Sequence, residues 1–221
     1  MKYEKISMAV FIDRPNRFIA NVETDGKILS VHVKNTGRCR ELLLPGAAVI
    51  LAESDNPGRK TKYDLIAVKK EGLGWVNIDS QAPNVIVKEW LEAKPEIFGD
   101  VTYFKPEYKY GNSRVDFYME GKDRRILLEV KGCTLEINGV GYFPDAPTLR
   151  GVKHLNELAK AASEGFDCYV AFVIQMMNVN KVLPNDVTHP EFGEALRNAE
   201  SCGVKVLYLP CSVSPDEIKI V

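Results

Sequence analysis

The sequence predicts a mixed α and β protein with two parts, a small N-terminal β-barrel and a larger C-terminal domain in which helices alternate with strands. Short strand-like runs bounded by glycine-containing turns fill about the first eighty residues. From about Pro83 onward, apolar residues recur at helical intervals, and helix-like and strand-like stretches then alternate. We therefore expect a barrel domain at residues 1–82 and a second domain at residues 83–221.

The N-terminal part contains six strand-like runs. Asp25-Gly26 is a tight hairpin signal, and Gly72-Leu73-Gly74 is another. The size and strand spacing fit a five-stranded OB-like barrel, a fold that often binds nucleic acid. The predicted strands are Ile6–Phe11, Phe18–Thr24, Lys27–Val33, Ala47–Ala52, Tyr63–Lys70 and Trp75–Asp79.

The C-terminal part has the predicted element order α-β-β-β-α-β-α-β. Its first helix is predicted over Asn84–Ala93, with Asn84 as the N-cap. A second helix, Thr148–Ser163, has one apolar face, and Arg150, Lys153 and His154 are predicted on the opposite, polar face. The continuous apolar run in Asp167–Gln175 predicts a strand that is buried on both faces. The remaining predicted elements are the strands Val101–Tyr110, Ser113–Glu120, Arg125–Lys131 and Val204–Pro210, and the helix Pro190–Cys202.

The strands Ser113–Glu120 and Arg125–Lys131 form the most informative predicted hairpin. If the hairpin is symmetric about its turn, Asp116 lies directly opposite Glu129, with their Cβ atoms roughly 5 Å apart. Lys131 is two residues further along the same face. Two opposed carboxylates repel each other unless a cation sits between them, so the pattern indicates a metal site beside a lysine.

The alternative for this hairpin is a solvated sheet face on which Lys131 and Arg114 neutralise the two acids. An E-x-K tripeptide in a strand is common, and a register shift of one residue would separate the two carboxylates. The geometry of the hairpin alone leaves both interpretations open.

Composition excludes several classes of protein. The formal net charge of −1 does not indicate a nucleic-acid binder, so any such binding must depend on local basic patches. Five cysteines without a C-x-x-C motif argue against a disulfide framework and a structural zinc site, and the three histidines show no ligand spacing. No stretch approaches membrane-spanning length, so we expect a cytoplasmic protein with no membrane partner. Oligomers are compatible with the sequence.

The element order, with Asp on the second strand and E-x-K on the third, resembles the core of the PD-(D/E)xK nucleases. Further motifs resemble the sugar fermentation stimulation protein A family over nearly the whole chain. Cys39, Pro147 and Leu149 depart from the family pattern, and none of them touches the predicted metal site. The motifs are Asn35-Thr36-Gly37-Arg38, Ser113-Arg114-Val115-Asp116-Phe117, Glu129-Val130-Lys131-Gly132, Phe143-Pro144-Asp145-Ala146, Arg150-Gly151 and Lys153-His154-Leu155.

The resemblance implies a DNA-binding protein with an OB-like domain joined to a nuclease-like domain. It implies that Asp116 and Glu129 are ligands of Mg²⁺ or Mn²⁺ and that Lys131 is the catalytic lysine. The carbonyl of Val130 is a further candidate metal ligand. Double-stranded DNA is the expected partner.

Several other residues are candidates for the site. Glu89 lies where such nucleases sometimes keep a further acid, Gln175 ends a strand near the site, and Asp145 either caps the helix at Thr148 or approaches the metal. Each also has a structural explanation, as a surface side chain, a turn residue or a cap. The candidates for nucleic-acid binding are Asn35, Arg38, Arg114, Arg150, Lys153 and His154.

Two functions remain open. One is a Mg²⁺-dependent nuclease, and the other is a DNA-binding transcriptional regulator without turnover, linked to sugar utilisation. The intact set of Asp116, Glu129 and Lys131 favours the nuclease, because a pure binder has no evident need for opposed acids. An enzyme acting on a small metabolite has little support, because the sequence has no nucleotide-binding loop and no nucleophile elbow.

Overall fold

The N-terminal part is a closed β-barrel. The computed structural model describes residues 1–54, 56 and 58–221. The sheet has the strand order β3-β2-β1-β4-β5-β6, and β3 also pairs with β5 in parallel, which closes five strands into a barrel. This confirms the predicted OB-like barrel. The strands are β1 (Ile6–Asn16), β2 (Ile19–Thr24), β3 (Lys27–Val33), β4 (Ala48–Glu53), β5 (Tyr63–Lys70) and β6 (Gly74–Asn77).

The C-terminal part is built on a six-stranded sheet with the order β15-β14-β12-β9-β8-β7. The chain runs through α1 (Ala82–Glu92), a 3-10 turn (Glu96–Phe98), β7 (Tyr103–Tyr110), β8 (Ser113–Glu120), β9 (Arg125–Cys133), β10 (Leu135–Ile137), β11 (Val140–Phe143), α2 (Leu149–Ser163), β12 (Asp167–Ile174), β13 (Val182–Pro184), α3 (Pro190–Ser201), β14 (Lys205–Val213) and β15 (Ile218–Ile220). The antiparallel hairpins β7-β8-β9 followed by α2 and the parallel strand β12 give the αβββαβ core of a PD-(D/E)xK nuclease-like domain.

Strand β12 is buried on both faces, as its continuous apolar run predicts. Alternate residues enter different clusters: Val170 packs in the cluster that contains Leu155 of α2, and Ala171 packs in the cluster that contains Ile86 of α1. The two helices therefore cover opposite faces of the sheet. The same alternation in β9 directs Leu127 toward the α2 side.

The helix α1 begins earlier than predicted, so the assignment of Asn84 as its N-cap is wrong. The helix starts at Ala82 after Gln81, with a proline in its first turn, and this leaves Asn84 inside the helix. Proline is well tolerated there because the first amides of a helix have no intrahelical acceptor. The short strands β10, β11 and β13 were not predicted, because three or four residues carry too little periodicity.

The barrel and the nuclease-like domain share a buried polar contact. Gln175, which follows β12 and is 1% exposed, donates from Nε2 to the carbonyl of Asn77 at 3.0 Å and to that of Asp79 at 3.1 Å. Gln175 therefore joins the two domains. Within the described residues, no helix is long and apolar enough to cross a membrane.

Candidate active site

Asp116 and Glu129 are brought together by the β8–β9 hairpin. The hairpin pairs Phe117 with Leu128 and Tyr118 with Leu127, which is the symmetric register expected from the sequence. Asp116 Oδ2 accepts a hydrogen bond from the backbone amide of Val130 at 2.7 Å. The Asp116 carboxylate is thereby held against the backbone of β9, directly beside Glu129.

Asn84 is a residue of the site that the sequence did not reveal as such. Its Nδ2 donates to Asp116 Oδ1 at 2.8 Å, so α1 contributes a side chain to the carboxylate on β8. With the amide of Val130, both oxygens of Asp116 accept one hydrogen bond each. These two bonds fix the orientation of the carboxylate.

Glu129 is held by two donors on the α2 side of the sheet. It is 2% exposed, and its Oε1 atom accepts hydrogen bonds from Lys131 Nζ and from the His154 ring. Arg150 Nε donates to His154 Nε2 at 3.3 Å. Because a guanidinium can only donate, Nε2 accepts and the ring proton is on Nδ1, where it is donated to Glu129.

The helix face predicted for His154 requires a correction. His154 was expected on the polar face of α2 together with Arg150 and Lys153, yet its side chain is buried against Glu129. It lies four residues before Leu158, and side chains at this spacing share a helix face. That spacing was a signal in the sequence that His154 faces inward.

The pKa values of the two carboxyl groups are shifted in opposite directions by the combined effects of burial and neighbouring charges. Burial and the negative charge of Glu129 raise the pKa of Asp116, and the charge of Lys131 opposes the shift. Burial also raises the pKa of Glu129, but the charge of Lys131 and the hydrogen bond from His154 outweigh it, and the pKa of Glu129 is lowered. Such divergence within a carboxylate pair is typical of functional sites.

The donors at this site fit a hard cation. No group of three or more His, Cys, Asp or Glu side chains in metal-binding geometry is found among the described residues. Mg²⁺, however, is commonly held by one or two carboxylates, and waters and substrate phosphates complete its coordination. Two carboxylates with an adjacent backbone carbonyl, that of Val130, suit Mg²⁺ or Mn²⁺ better than zinc.

Four of the predicted nucleic-acid-binding residues line one concave surface, which we call the α2 groove. Arg114, Arg150 and Lys153 supply positive charge there, and His154 forms part of its wall. The groove has a volume of about 750 Å³. It is lined by Glu107, Asn112, Ser113, Arg114, Leu149, Arg150, Lys153 and His154.

Asn35 and Arg38 lie instead on a loop of the barrel. Asn35 supports the loop itself, because its Oδ1 accepts from the Gly37 amide at 2.6 Å and its Nδ2 donates to the Ile78 carbonyl at 2.8 Å. Arg38 is exposed. It lines a concavity of about 500 Å³, which we call the arginine pocket, together with Arg14, Arg17, Arg40 and residues that carry no carboxylate.

The other two candidate residues, Glu89 and Asp145, make contacts away from Asp116 and Glu129. Glu89 pairs with the amino group of Met1 at 2.7 Å, and it is half exposed. Asp145 accepts from the backbone amide of Cys39 at 3.3 Å, on the barrel loop. The cap of α2 is Thr148, whose Oγ1 accepts from the Gly151 amide at 3.0 Å, so the predicted capping role of Asp145 is wrong.

Fold and site together define a class of protein, an OB-like barrel joined to a PD-(D/E)xK nuclease-like domain. Two family models match the chain: residues 12–78 match the SfsA N-terminal OB domain, and residues 81–217 match the sugar fermentation stimulation protein RE domain. The chain therefore belongs to the sugar fermentation stimulation protein A family.

Relatives in this family match the chain from end to end. A sugar fermentation stimulation protein homolog of Ruminiclostridium cellulolyticum is 52% identical over 100% of this chain and 96% of its own length. A homolog of Clostridium beijerinckii is 54% identical over the same shares, 100% and 96%. The solved structure of Pyrococcus furiosus SfsA in complex with Ca²⁺ has a TM-score of 0.84 at 28% identity, and it covers 100% of this chain and 95% of that one.

Proposed function

We propose that this chain is a divalent-metal-dependent nuclease that acts on DNA, with Asp116 and Glu129 as metal ligands and Lys131 as the catalytic lysine. The observation that carries the proposal is the arrangement of these three side chains. Asp116 is bonded to the backbone amide next to Glu129, and Lys131 contacts Glu129 directly. The relative from Pyrococcus furiosus, crystallised with Ca²⁺, supports a divalent cation.

Each residue of the site has a separate proposed role. Asp116, Glu129 and the carbonyl of Val130 hold the cation, for which we propose Mg²⁺ or Mn²⁺. A cation bound by these groups would polarise the scissile phosphate and would lower the pKa of the attacking water. The ammonium of Lys131 stabilises negative charge that develops on the phosphate. Asn84 and His154 orient the two carboxylates by the hydrogen bonds described above.

The proposed substrate is double-stranded DNA, with phosphates contacting the α2 groove and the arginine pocket. The net charge of −1 means that attraction to a polyanion must be local, and these two surfaces concentrate arginine and lysine. Arg114, Arg150 and Lys153 lie in the groove that includes His154, the residue bonded to Glu129. DNA in this groove therefore passes beside the catalytic residues.

A second candidate function is a DNA-binding regulator of sugar utilisation without turnover. One observation favours it: Asp116 and Glu129 already have protein partners, with Lys131 on Glu129 and Asn84 on Asp116. A set of acids satisfied within the protein is stable without a cation. In this case the basic surfaces bind DNA and the acids serve the fold.

A cleavage assay distinguishes the nuclease from the regulator. The purified protein is incubated with single-stranded and double-stranded DNA and RNA, in Mg²⁺, Mn²⁺ or EDTA. The nuclease predicts metal-dependent cleavage that is lost in Lys131→Ala and retained in Lys88→Ala, a matched control at an exposed helix lysine paired with Glu92. DNA binding without cleavage in either metal would overturn the nuclease and support the regulator.

A further inference from the structure

Leu149 is an exposed apolar side chain at an unusual place. It is 81% exposed and is the first residue of α2. A single exposed leucine needs no explanation by itself, because folded proteins carry many apolar atoms on their surface. Leu149 does need an explanation, because it lies between two surfaces of different chemistry.

The backbone around Leu149 is held in place by its neighbours. The cap at Thr148 fixes the start of α2, and the amide of Thr148 also donates to His189 Nδ1 at 3.5 Å. Asn185 Nδ2 donates to the carbonyl of Pro144 at 3.0 Å, which anchors the preceding loop. Leu149 is thus presented to solvent from a fixed turn.

One side of this turn is cationic. Leu149 lines the α2 groove together with Arg114, Arg150 and Lys153. Guanidinium and ammonium groups in a shallow groove suit the phosphates of a duplex. Under the proposed function, a duplex in this groove has its bases beside Leu149.

The other side of the turn is a deeper, mixed pocket between the two domains, which we call the interdomain pocket. Its volume is about 470 Å³, and the three residues that precede Leu149, residues 146–148, lie in its wall. The rest of the wall includes hydroxyl groups of Ser80 and Thr134, the carboxylate of Asp145 and the ring of Phe143. A wall that combines an aromatic ring with neutral and acidic hydrogen-bonding groups suits a nucleobase taken out of its stack.

The interdomain pocket lies next to two regions that a bound DNA strand would contact, the arginine pocket and the proposed catalytic site. It shares four lining residues with the arginine pocket, Arg17, Thr36, Gly37 and Ala146. Under the proposed function, the arginines of that pocket supply cations for phosphates of the same strand. Gly132, the residue after the catalytic Lys131, lines it as well. A nucleotide in this pocket therefore has its strand beside the proposed catalytic site.

From this placement we propose that Leu149 is a wedge that enters the base stack of bound DNA, and that the interdomain pocket takes the unpaired nucleotide. Apolar side chains inserted between base steps unstack them and kink the duplex. DNA that already contains an unpaired nucleotide avoids the cost of unpairing, so it is the preferred ligand. This inference rests on the DNA binding proposed above.

The test uses two DNA duplexes of one sequence, one fully paired and one with a single bulged 2-aminopurine, in EDTA. Fluorescence anisotropy gives the affinity, and 2-aminopurine emission reports removal of the base from the stack. The wild type is expected to bind the bulged duplex at least tenfold more tightly than the paired one, because a nucleotide that is already unpaired spares the protein the cost of unpairing it. Its binding is also expected to change the emission.

Three variants locate the effect. Leu149→Ala, at an exposed position, is expected to lose both the preference for the bulged duplex and the emission change. Ser80→Phe, which fills the interdomain pocket, is expected to lose the emission change. Ile28→Ala, a matched apolar truncation at a barrel residue that is 70% exposed, is expected to behave as the wild type.

Each outcome decides between the proposals. Equal affinity for both duplexes, or a Leu149→Ala variant that keeps the preference and the emission change, would overturn the wedge and leave DNA binding intact. An absence of binding to either duplex would overturn DNA binding itself, and the wedge with it.

Discussion

The ring of His154 donates a hydrogen bond to the carboxylate of Glu129, so a residue of α2 holds a carboxylate on β9, one of the two middle strands of the nuclease-like sheet. Arg150 bonds the opposite ring nitrogen at 3.3 Å and thereby fixes the tautomer. The contact runs from the basic surface of α2 to the predicted metal ligand. We therefore propose that His154 positions Glu129 rather than contacting DNA.

Replacement of His154 tests this role. We expect His154→Leu to lower metal-dependent cleavage by about 10-fold to 100-fold, because an outer hydrogen-bond partner of a metal ligand typically contributes that much. His154→Asn, which places a donor near the position of Nδ1, is expected to restore part of the loss. Affinity for DNA in EDTA is the second measurement. It should stay near the wild-type value in both variants, and a parallel fall in DNA affinity would instead assign His154 to DNA binding.

Asn84 supports a separate prediction, because it binds the other carboxylate. Asn84→Ala removes the 2.8 Å hydrogen bond to Asp116 Oδ1 and leaves only the Val130 amide to orient that carboxylate. We expect the Mg²⁺ concentration for half-maximal cleavage to rise by about tenfold, since loss of an outer partner weakens metal affinity. Val85→Ala, at the next, 40% exposed position of α1, serves as the control. An unchanged Mg²⁺ requirement in Asn84→Ala would contradict the role.

The hairpin was predictable because local rules determine it. Alternation along β8 and β9 identifies the strands, and the short break between Glu120 and Arg125 sets a symmetric register. That register brings Asp116 beside Glu129, as found in the pairing of Phe117 with Leu128. Two carboxylates on adjacent strands therefore follow from the sequence alone.

The supporting side chains could not be predicted in the same way, because their contacts are tertiary. Asn84 reaches Asp116 across 32 positions of sequence, and His154 reaches Glu129 across 25. No local pattern specifies how a helix is rotated and translated over a sheet. The inward direction of His154 was partly encoded by its spacing from Leu158, but its partner was not. Gln175 shows the same limit, because its buried contacts are with Asn77 and Asp79 in the other domain.

The closure of the barrel leads to a prediction about stability and pH. His32 and Asp64 are paired residues where β3 meets β5, and Asp64 accepts from His32 at 2.8 Å and from Arg59 at 2.6 and 3.0 Å. Burial raises the pKa of Asp64, but the hydrogen bonds from Arg59 and His32 outweigh it, so the pKa is lowered. A carboxyl whose folded pKa is depressed stabilises the fold above its unfolded pKa, near 4, and this stability is lost as the pH falls through the folded pKa.

We therefore expect Asp64→Asn to lower the free energy of unfolding by about 2 kcal/mol at pH 7, because hydrogen bonds to charged groups contribute about that much. The difference in unfolding free energy between the variant and the wild type should shrink as the pH falls from about 4 toward 2, because the wild-type carboxyl becomes protonated and is then uncharged, like the asparagine. Urea unfolding at pH 7 and pH 3 measures both values. Asp25→Asn, at the exposed turn between β2 and β3, is the control. A difference that is constant with pH would show that the charge of Asp64 is not the cause.

The last prediction concerns the arginine pocket, whose side chains project from a loop that Arg14 organises. Arg14 donates to the carbonyls of Gly37 at 3.0 Å and Arg38 at 2.8 Å. Arg17 and Arg38 are exposed residues. The salt dependence of DNA binding is measured as the slope of log K against log salt concentration, where K is the association constant for DNA. If each arginine contacts a phosphate, Arg17→Ala and Arg38→Ala should each make this negative slope shallower by about 1, since each neutralised phosphate releases about one counterion. Arg197→Ala, an exposed arginine paired with Asp186 on the other domain, should leave the slope unchanged. A slope that is the same in all three variants and the wild type would remove the arginine pocket from the DNA-binding surface and leave the α2 groove as the phosphate-binding region.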